Sequence, residues 1–454
     1  MANDTNPLPL AGVRIAEITV VWAGPHVTQV LAEWGADVIR VEPITHIQPY
    51  SRGGERVQTR EVARRSAESG VLVGAYPDND PGEDPWNRNA PFNAHSRNKR
   101  SMACDIMLPE GKEAFFRLVE KVDVLIENNV PITIERAGIT YDVLKEINPR
   151  LIMLRMPAYG LAGPYKNYRG FGTHVEGMIG HHWLRGYPDG SPDETGEAFT
   201  ADAVAGVMGA FGVTSALLKR EETGVGQQIE MPLAESFLPA LGEWILDYTM
   251  NGRVAQPQGN LHRTHAPHSV YPTQGADQWI AIDIATDEEF RALCDVLGTP
   301  QLVADERFQT AVGRKQHEKA LDEALYAVTR DWVNDDLFHR LQAAGVTAGS
   351  VHDEAVFMQS PQLLERGFFE ELTIEGIGTH TYPGIMTKWE HTPNHLRTPP
   401  PKIGEHNEEI YIDLLGYSRE EYDSLVERGL VGTTYSETLV PRTWLPATEP
   451  TSER

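Results

Sequence analysis

Short, mostly apolar runs and runs at helical spacing alternate along the first third of the chain. Val13 to Ile18, apolar apart from Arg14 and Glu17, reads as a buried strand. Thr19-Val20-Val21-Trp22-Ala23-Gly24-Pro25 interrupts the pattern as a loop. His26 to Trp34 then carries Val27, Val30, Leu31 and Trp34 on one helical face and stops at Gly35. Ala36 to Val41 is the next strand. The alternation continues with a helix over Pro109 to Val122, a strand over Val124 to Glu127, a helix over Tyr141 to Ile147 and a strand over Leu151 to Met156. Strands and helices on short links predict an α/β fold whose parallel sheet is covered on both faces. Ligands of such sheets sit at the carboxyl ends of the strands, which puts the Ala23-Gly24-Pro25 loop, Asn128 and Pro157 to Tyr159 on one rim.

Further along, Pro43 to Pro91 loses periodicity and reads as a long surface excursion with one short helix. Ala201 to Lys219, rich in Ala and Gly, suits a closely packed helix. Leu233 to Met250 reads as a second long helix connecting domains. His268 to Ile284 has strand character, and acidic helices follow to Ala344. The Pro, Thr and Ser-rich stretch from Pro441 to Arg454 reads as a disordered tail or one draped over a neighbour.

The chain of 454 residues is long for a single core and suggests two or three domains. Against 40 Lys and Arg stand 65 Asp and Glu, a net charge of -25, which argues against a nucleic-acid partner because phosphate backbones are bound by surplus cations. No apolar run approaches the ~20 residues of a bilayer span. Met1 to Leu10 has neither a positive nor an apolar leader region, so the expected location is cytoplasmic, with no membrane partner. Two cysteines, Cys104 and Cys294, are too few for a disulfide framework and fit a reducing compartment.

The amino-terminal strand-helix-strand unit invites a dinucleotide reading, with Glu42 as the ribose ligand, but its loop has one glycine where that fingerprint needs three. Arg97-Asn98-Lys99-Arg100-Ser101 is either a solvated turn before a strand or a phosphate-binding patch. In Ala198 to Gly209, Thr200 is a good N-cap, and Asp202 in the first turn is either a dipole-complementing acid or a nucleophile. Asp189 competes with it, although Pro188-Asp189-Gly190 is a common turn. His262, His265 and His268 have a spacing that can converge on a metal ion. With no cysteine or acidic triad nearby, a substrate-facing or structural loop without metal is the expectation. His174, His181 and His182 lie ahead of Asp202, either lining a pocket or packing.

Several blocks resemble one family. Pro9-Leu10-Ala11-Gly12-Val13, Ala23-Gly24-Pro25 and Trp34 to Glu42 are similar to the amino-terminal signature of the class III coenzyme A transferases, the CaiB/BaiF type that includes formyl-CoA transferase and crotonobetainyl-CoA:carnitine CoA-transferase. Asn98 to Ser101, Pro109 to Lys112, Asp123 to Asn128, Ile147 to Arg150, Thr223 to Gln227 and Gly404 to His406 follow in the family's order. The resemblance runs from Pro9 to about Leu430.

The resemblance implies a Rossmann-like large domain, a smaller α+β domain and an interlocked dimer. The domain expectation is a large CoA-binding domain over 1–230, a linker helix over 231–258, a small domain over 259–345, and a return segment with the tail over 346–454. Asp202 holds the family's nucleophile position ahead of the Thr-Gly-x-Gly-Gln block; Asp189 does not. Coenzyme A is implied along Val21, Trp22, Ala23, Arg100, Cys104, Asn128 and Arg136, with cations near its phosphates. The implied activity moves coenzyme A between an acyl-CoA thioester and a free acid through an aspartyl-CoA thioester, with no permanently bound cofactor. An acyl-CoA racemase, or the CoA-binding subunit of a heteromeric transferase, are the alternatives. Trp22 stands where formyl-CoA transferase has a glutamine and the glycine-rich flap is replaced by Gly259 to His268, so formate and oxalate are not the expected substrates. Trp22, Trp183 and Tyr187 hint at a bulkier, partly aromatic or apolar acid, or simply pack.

Overall fold

A computed structural model describes residues 7–48, 51–53, 56–69, 75–194, 196 and 199–437. The tail expected over 441–454, and Ala198, lie outside the described residues. The chain divides into two compact units, one of 1–179, 197–246 and 369–454 and the other of 180–196 and 247–368.

The first unit opens with β1 (Arg14–Ile18), α1 (Ala23–Glu33) and β2 (Asp37–Glu42). After the long excursion come α2 (Ala90–Ser96), β3 (Lys99–Ala103), α3 (Pro109–Val119), β4 (Val124–Glu127), α4 (Pro131–Ala137), α5 (Tyr141–Ile147) and β5 (Ile152–Arg155). Then follow α6 (Gly172–Met178), α7 (Thr200–Thr223) and β6 (Gln228–Glu230), and the unit boundary after residue 246 falls within α8 (Gly242–Asn251). The six strands are parallel in the order β3-β2-β1-β4-β5-β6, with Ile15 registered against both Val38 and Val124. The chain winds outward from β1 and then returns to its other side, so the crevice between the carboxyl ends of β1 and β4 is a topological switch point, where such folds place ligands.

Side chains alternate across each strand. Met153 belongs to a buried cluster with Phe115 and Leu118 of α3, Ile134 of α4 and Tyr411 of the carboxyl-terminal return. Its neighbour Leu154 faces the other way, toward Gly209 of α7. The excursion over 43–91 contains more than the one short helix expected, with helices at Arg60–Glu68 and Pro85–Arg88. The return segment closes on β3, where Asn407 accepts the Ala103 N–H and the Tyr411 hydroxyl donates to the Ala103 carbonyl.

Helix α7 is 24 residues long with a mean hydropathy of 1.5 over its most apolar window, enough by length and composition to cross a membrane. The expectation that no apolar run approaches such a length is corrected here. Gly206 and Gly209 let α7 lie directly on α1, and half of the window is buried within the fold. The long connector expected over Leu233 to Met250 is also interrupted. A short helix ends at Phe237, a 3₁₀ turn spans Leu238–Leu241, and α8 follows. Pro239 lacks the N–H and its ring crowds the preceding turn.

The second unit is built on the antiparallel sheet β7 (His268–Pro272), β8 (Trp279–Asp283), β9 (Thr347–Val351). Its helices α9 (Asp287–Leu297), α10 (Glu318–Thr329) and α11 (Asn334–Ala343) bury Leu293, Leu325 and Leu337 in one cluster with Tyr271 and Ile280 of the strands. The boundaries of this unit differ from the expected 259–345. Segment 180–196 is tied in by Trp183, whose indole N–H donates to the Ala255 carbonyl, and β9 pairs with β8, so the strand after 346 belongs here.

Candidate active site

The site begins where β1 ends. Asn128, just past β4, donates to the Val20 carbonyl and accepts from the Val20 N–H, clamping the β1–α1 loop across the switch point. Gly24 approaches so closely that a Cβ there would lie 2.6 Å from Thr19 and 3.0 Å from Asn128. Val21 adopts φ 64, a left-handed conformation that a β-branched residue takes only under constraint. That turn starts α1 at Ala23, earlier than the His26 expected, and aims the Ala23 N–H at the Asp202 carboxylate.

Asp202 itself stands in the first turn of α7. The N-cap is Phe199, at φ 48, and not Thr200; the Ala201 N–H is satisfied instead by Glu176 of α6 at 2.8 Å. Phe199 packs its ring on Trp22 at 4.6 Å. Helices α1 and α7 therefore run side by side in the same direction. Residue pairs 23 and 202, 26 and 206, and 27 and 209 meet in turn, with both positive helix ends at the carboxylate. Gly172 supplies the remaining wall, where a Cβ would fall 1.8 Å from Asp202 Oδ2.

Burial decides the charge state here. Asp202 is 4% exposed, and its carboxyl is pushed up to about 7, first by desolvation and then by the like charge of Glu176; the Ala23 hydrogen bond opposes both. The helix end alone does not keep Asp202 ionised, because removal from water outweighs one N–H and a partial dipole. An aspartate poised near neutrality at two helix ends is a candidate nucleophile or base.

A cleft of about 290 Å³ opens on the same rim, against Ile18 of β1, Val41 near the end of β2, Pro43 just after it, Cys104 after β3 and Asn129 after β4. Arg136 and Arg169 supply its cations. Cys104 lines it as an inert wall, since burial raises its thiol to about 12. Asn129 is the rim asparagine that faces this cleft, while Asn128 holds the loop; Val21, Trp22 and Ala23 stand at the α1 end next to Asp202.

Arg100 does not belong to this group. It lies near the amino end of β3 and pairs with Asp37 at the amino end of β2 and with Glu409, on the opposite edge of the sheet from the cleft. The rest of its cluster is neither a solvated turn nor a phosphate patch. Lys99 is buried on Glu17 at 2.9 Å and Arg97 on Glu33 at 2.7 Å. Glu42, the ribose ligand of the discarded dinucleotide reading, is held by Arg40, Arg52 and Ser101, and these cations bring its carboxyl down to about 2 despite burial.

Sequence reasoning missed Glu176, Gly172 and Arg169. Gly172 and Glu176 are four apart and so share one helix face, which is the one signal available beforehand. His174 is exposed, with Nδ1 accepting the Phe171 N–H.

The remaining candidates lie in the second unit. Asp189 is exposed in the expected turn, Tyr187 meets Asn260 through a 3.2 Å hydrogen bond, and His181 and His182 begin a five-residue helix. The rings of His262 and His265 are 4.1 Å apart, and those of His262 and His268 are 5.2 Å apart. His265 bonds Asp283, His268 the Asn260 carbonyl, and His262 Nδ1 accepts the His265 N–H. Among the described residues no group of three His, Cys, Asp or Glu is arranged to hold a metal ion.

The family model for CoA-transferase family III matches residues 10–407. The chain belongs to this family. It is 32% identical over 437 residues to the succinyl-CoA–L-malate CoA-transferase beta subunit of Chloroflexus aurantiacus, covering 95% of this chain and all of that one. It is also 32% identical over 411 residues to the succinate–glutarate CoA-transferase of Agrobacterium fabrum, covering 89% and 96%. A CaiB/BaiF family protein from Brucella suis superposes with a TM-score of 0.75 at 29% identity, over 90% of this chain and all of that one. The enzyme is thus a CoA-transferase of mixed α/β fold, with acyl-CoA thioesters and acids as its substrates.

Proposed function

We propose that this CoA-transferase works through Asp202 as a covalent nucleophile, exchanging coenzyme A between succinyl-CoA or a similar donor and another dicarboxylic acid. The observation that carries this reading is the buried Asp202 carboxylate, facing the Ala23 N–H at the joint amino ends of α1 and α7. The diacid substrates rest on the names of the relatives, which act on succinate, malate and glutarate.

In the first step an Asp202 oxygen attacks the thioester carbonyl, the C–S bond breaks, and a mixed anhydride forms with release of the CoA thiolate. The thiolate then attacks the aspartyl carbonyl, releasing the donor acid as its carboxylate and leaving an aspartyl-CoA thioester. The acceptor carboxylate repeats both steps in reverse. Every step consumes and releases one anion, so the exchange needs no permanently bound cofactor. The repulsion by Glu176 that favours neutral, protonated Asp202 favours the neutral acylated side chain in the same way. Backbone N–H groups at the two helix ends are the oxyanion donors.

The nucleotide of coenzyme A occupies the 290 Å³ cleft, its phosphates near Arg136 and Arg169, and the pantetheine passes Asn129 and Ile18 toward Val21–Ala23. The racemase alternative gains no support from His174, which serves the Phe171 backbone. The enzyme works as a homodimer in the cytoplasm. Val207, Met208, Phe211 and Leu218 leave α7 with an exposed apolar stripe suited to a second copy, and both cysteines are buried free thiols. A related subunit is the other possible cover, since the Chloroflexus relatives are named as alpha and beta subunits.

Incubation with an acyl-CoA followed by borohydride or hydroxylamine should mark the peptide that contains Asp202. Asp202→Ala and Asp202→Asn should abolish exchange while retaining CoA binding by calorimetry, whereas Asp189→Ala keeps exchange. A label on another peptide, or wild-type exchange by Asp202→Ala, overturns the mechanism.

A further inference from the structure

Beneath the β1–α1 loop lies a network of buried charges that the exchange chemistry does not use. Glu17, near the end of β1, is fully buried. Its Oε1 accepts from the Thr19 hydroxyl at 2.7 Å and from Arg40 at 2.6 Å, and its Oε2 accepts from the Thr28 hydroxyl at 2.6 Å and from Lys99 at 2.9 Å. Lys99, also buried, spends its three N–H bonds on Glu17, on the Pro25 carbonyl at 3.0 Å and on the Thr28 hydroxyl oxygen at 2.7 Å. Every hydrogen of the ammonium has an acceptor and each Glu17 oxygen has two donors, so the network is saturated and strongly directional.

A fold that needed only stability would gain little from it. Burying two opposite charges commonly contributes no more than apolar side chains of the same volume, whereas a saturated network fixes direction. What this one fixes is the loop that carries the Ala23 N–H. Thr19 stands at the loop's start, 2.6 Å from where a Cβ on Gly24 would lie, and Pro25 and Thr28 belong to the first turns of α1. Ala23 falls between these anchors, with Asn128 holding Val20 and the left-handed Val21 close by. Strain of that kind persists only where the surroundings over-determine the backbone. The neighbouring cations have further partners, Arg40 in Glu42 and Ser51 and Arg97 in Glu33.

We propose that Glu17 and Lys99 are positioning residues, which hold the Ala23 N–H on the Asp202 carboxylate through Thr19, Pro25 and Thr28. This rests on the Asp202 mechanism above. The pair acts through the backbone of the loop and not on the substrate. A fixed N–H steadies the Asp202 anion against burial and Glu176, and it sets the direction of the attacking oxygen. Both effects weaken when the loop relaxes. Exchange then begins at higher pH and runs more slowly at its plateau, with coenzyme A bound as before.

The test is the double variant Glu17→Gln/Lys99→Met, which removes one charge of each sign, so that a change in the Asp202 midpoint reports geometry and not net charge. Single-turnover exchange against pH should show the midpoint raised by about one unit and the plateau rate lowered at least about tenfold, with CoA affinity by calorimetry within about twofold of wild type. A role in folding alone lowers the melting temperature and the active fraction but leaves the midpoint of the surviving enzyme where it was. An unmoved midpoint in the folded double variant overturns the proposal. Thr28→Val, which removes only the hydroxyl that bridges Glu17 and Lys99, serves where the double variant fails to fold. Its midpoint should rise by about half a unit, and an unmoved one overturns the proposal equally. Exchange retained by Asp202→Asn overturns the mechanism itself, whereas Asp202-dependent exchange with unmoved midpoints overturns the positioning role alone.

Discussion

Asp202 and Glu176 are two buried carboxylates whose like charges the fold holds close together, and the consequence is legible in pH. The proposed attack requires ionised Asp202, whose carboxyl is raised to about 7, so exchange should increase with pH through that value and level off above it. Glu176→Gln keeps an acceptor for the Ala201 N–H but removes the charge. The midpoint should move to lower pH and the plateau rate fall about tenfold, because a weaker base is a poorer nucleophile. A single-turnover pH profile with an unmoved midpoint would remove Glu176 from this role. Stability should respond in the opposite sense. A raised folded pKa means that the folded state favours protonated Asp202; that contribution is complete below about pH 4 and is lost as pH rises through about 7. Ionising this nearly inaccessible group at pH 8 costs on the order of 4 kcal/mol, so Asp202→Asn should resist urea better than wild type at pH 8 and lose that advantage toward pH 4.

At the scale of elements, the seam between α1 and α7 sets the site. Gly206 and Gly209 bring the two backbones close, with Val27 filling the space a Cβ on Gly209 would need. Gly206→Ala puts a methyl 2.5 Å from the His26 ring, and the helices must part. The expected cost is about 1–3 kcal/mol from overpacking. Because the Ala23 N–H moves away from Asp202, kcat should fall further than melting temperature implies. Near-wild-type kcat in Gly206→Ala would show that the seam does not position the nucleophile. The strained Val21 and Phe199 that begin the two helices belong to the same device.

The whole molecule adds the surface that this site leaves uncovered. Phe211 and Leu218 are 66% and 70% exposed on α7, whose other face carries Asp202, so a second copy on that stripe would couple assembly to the helix of the proposed nucleophile. Phe211→Glu should shift light-scattering mass from dimer toward monomer and lower the melting temperature in a concentration-dependent way. A wild-type protein that is a stable monomer at micromolar concentration defeats the dimer.

Local pattern determined most of the sheet. The strand over Val124 to Glu127 and the helix over Tyr141 to Ile147 were readable because continuous apolar runs and 3.6-residue spacing are short-range consequences of burial, and they recur at those positions in the fold. Local pattern left Asp202 open between cap and nucleophile; its choice, and that of Cys104 and Arg136, came from the family resemblance, and those two residues do line the cleft. Tertiary structure alone decided which charges are free. Lys99, Arg97 and Arg100 look like one basic patch in sequence, yet strand alternation and register send each to a different buried or partly buried carboxylate, leaving Arg136 and Arg169 to face the cleft. It also brought Glu176 and Ala23 to Asp202 from segments with no sequence signal linking them. The charge state of that carboxylate follows from its loss of water, a property of the packed molecule and not of any stretch of its chain.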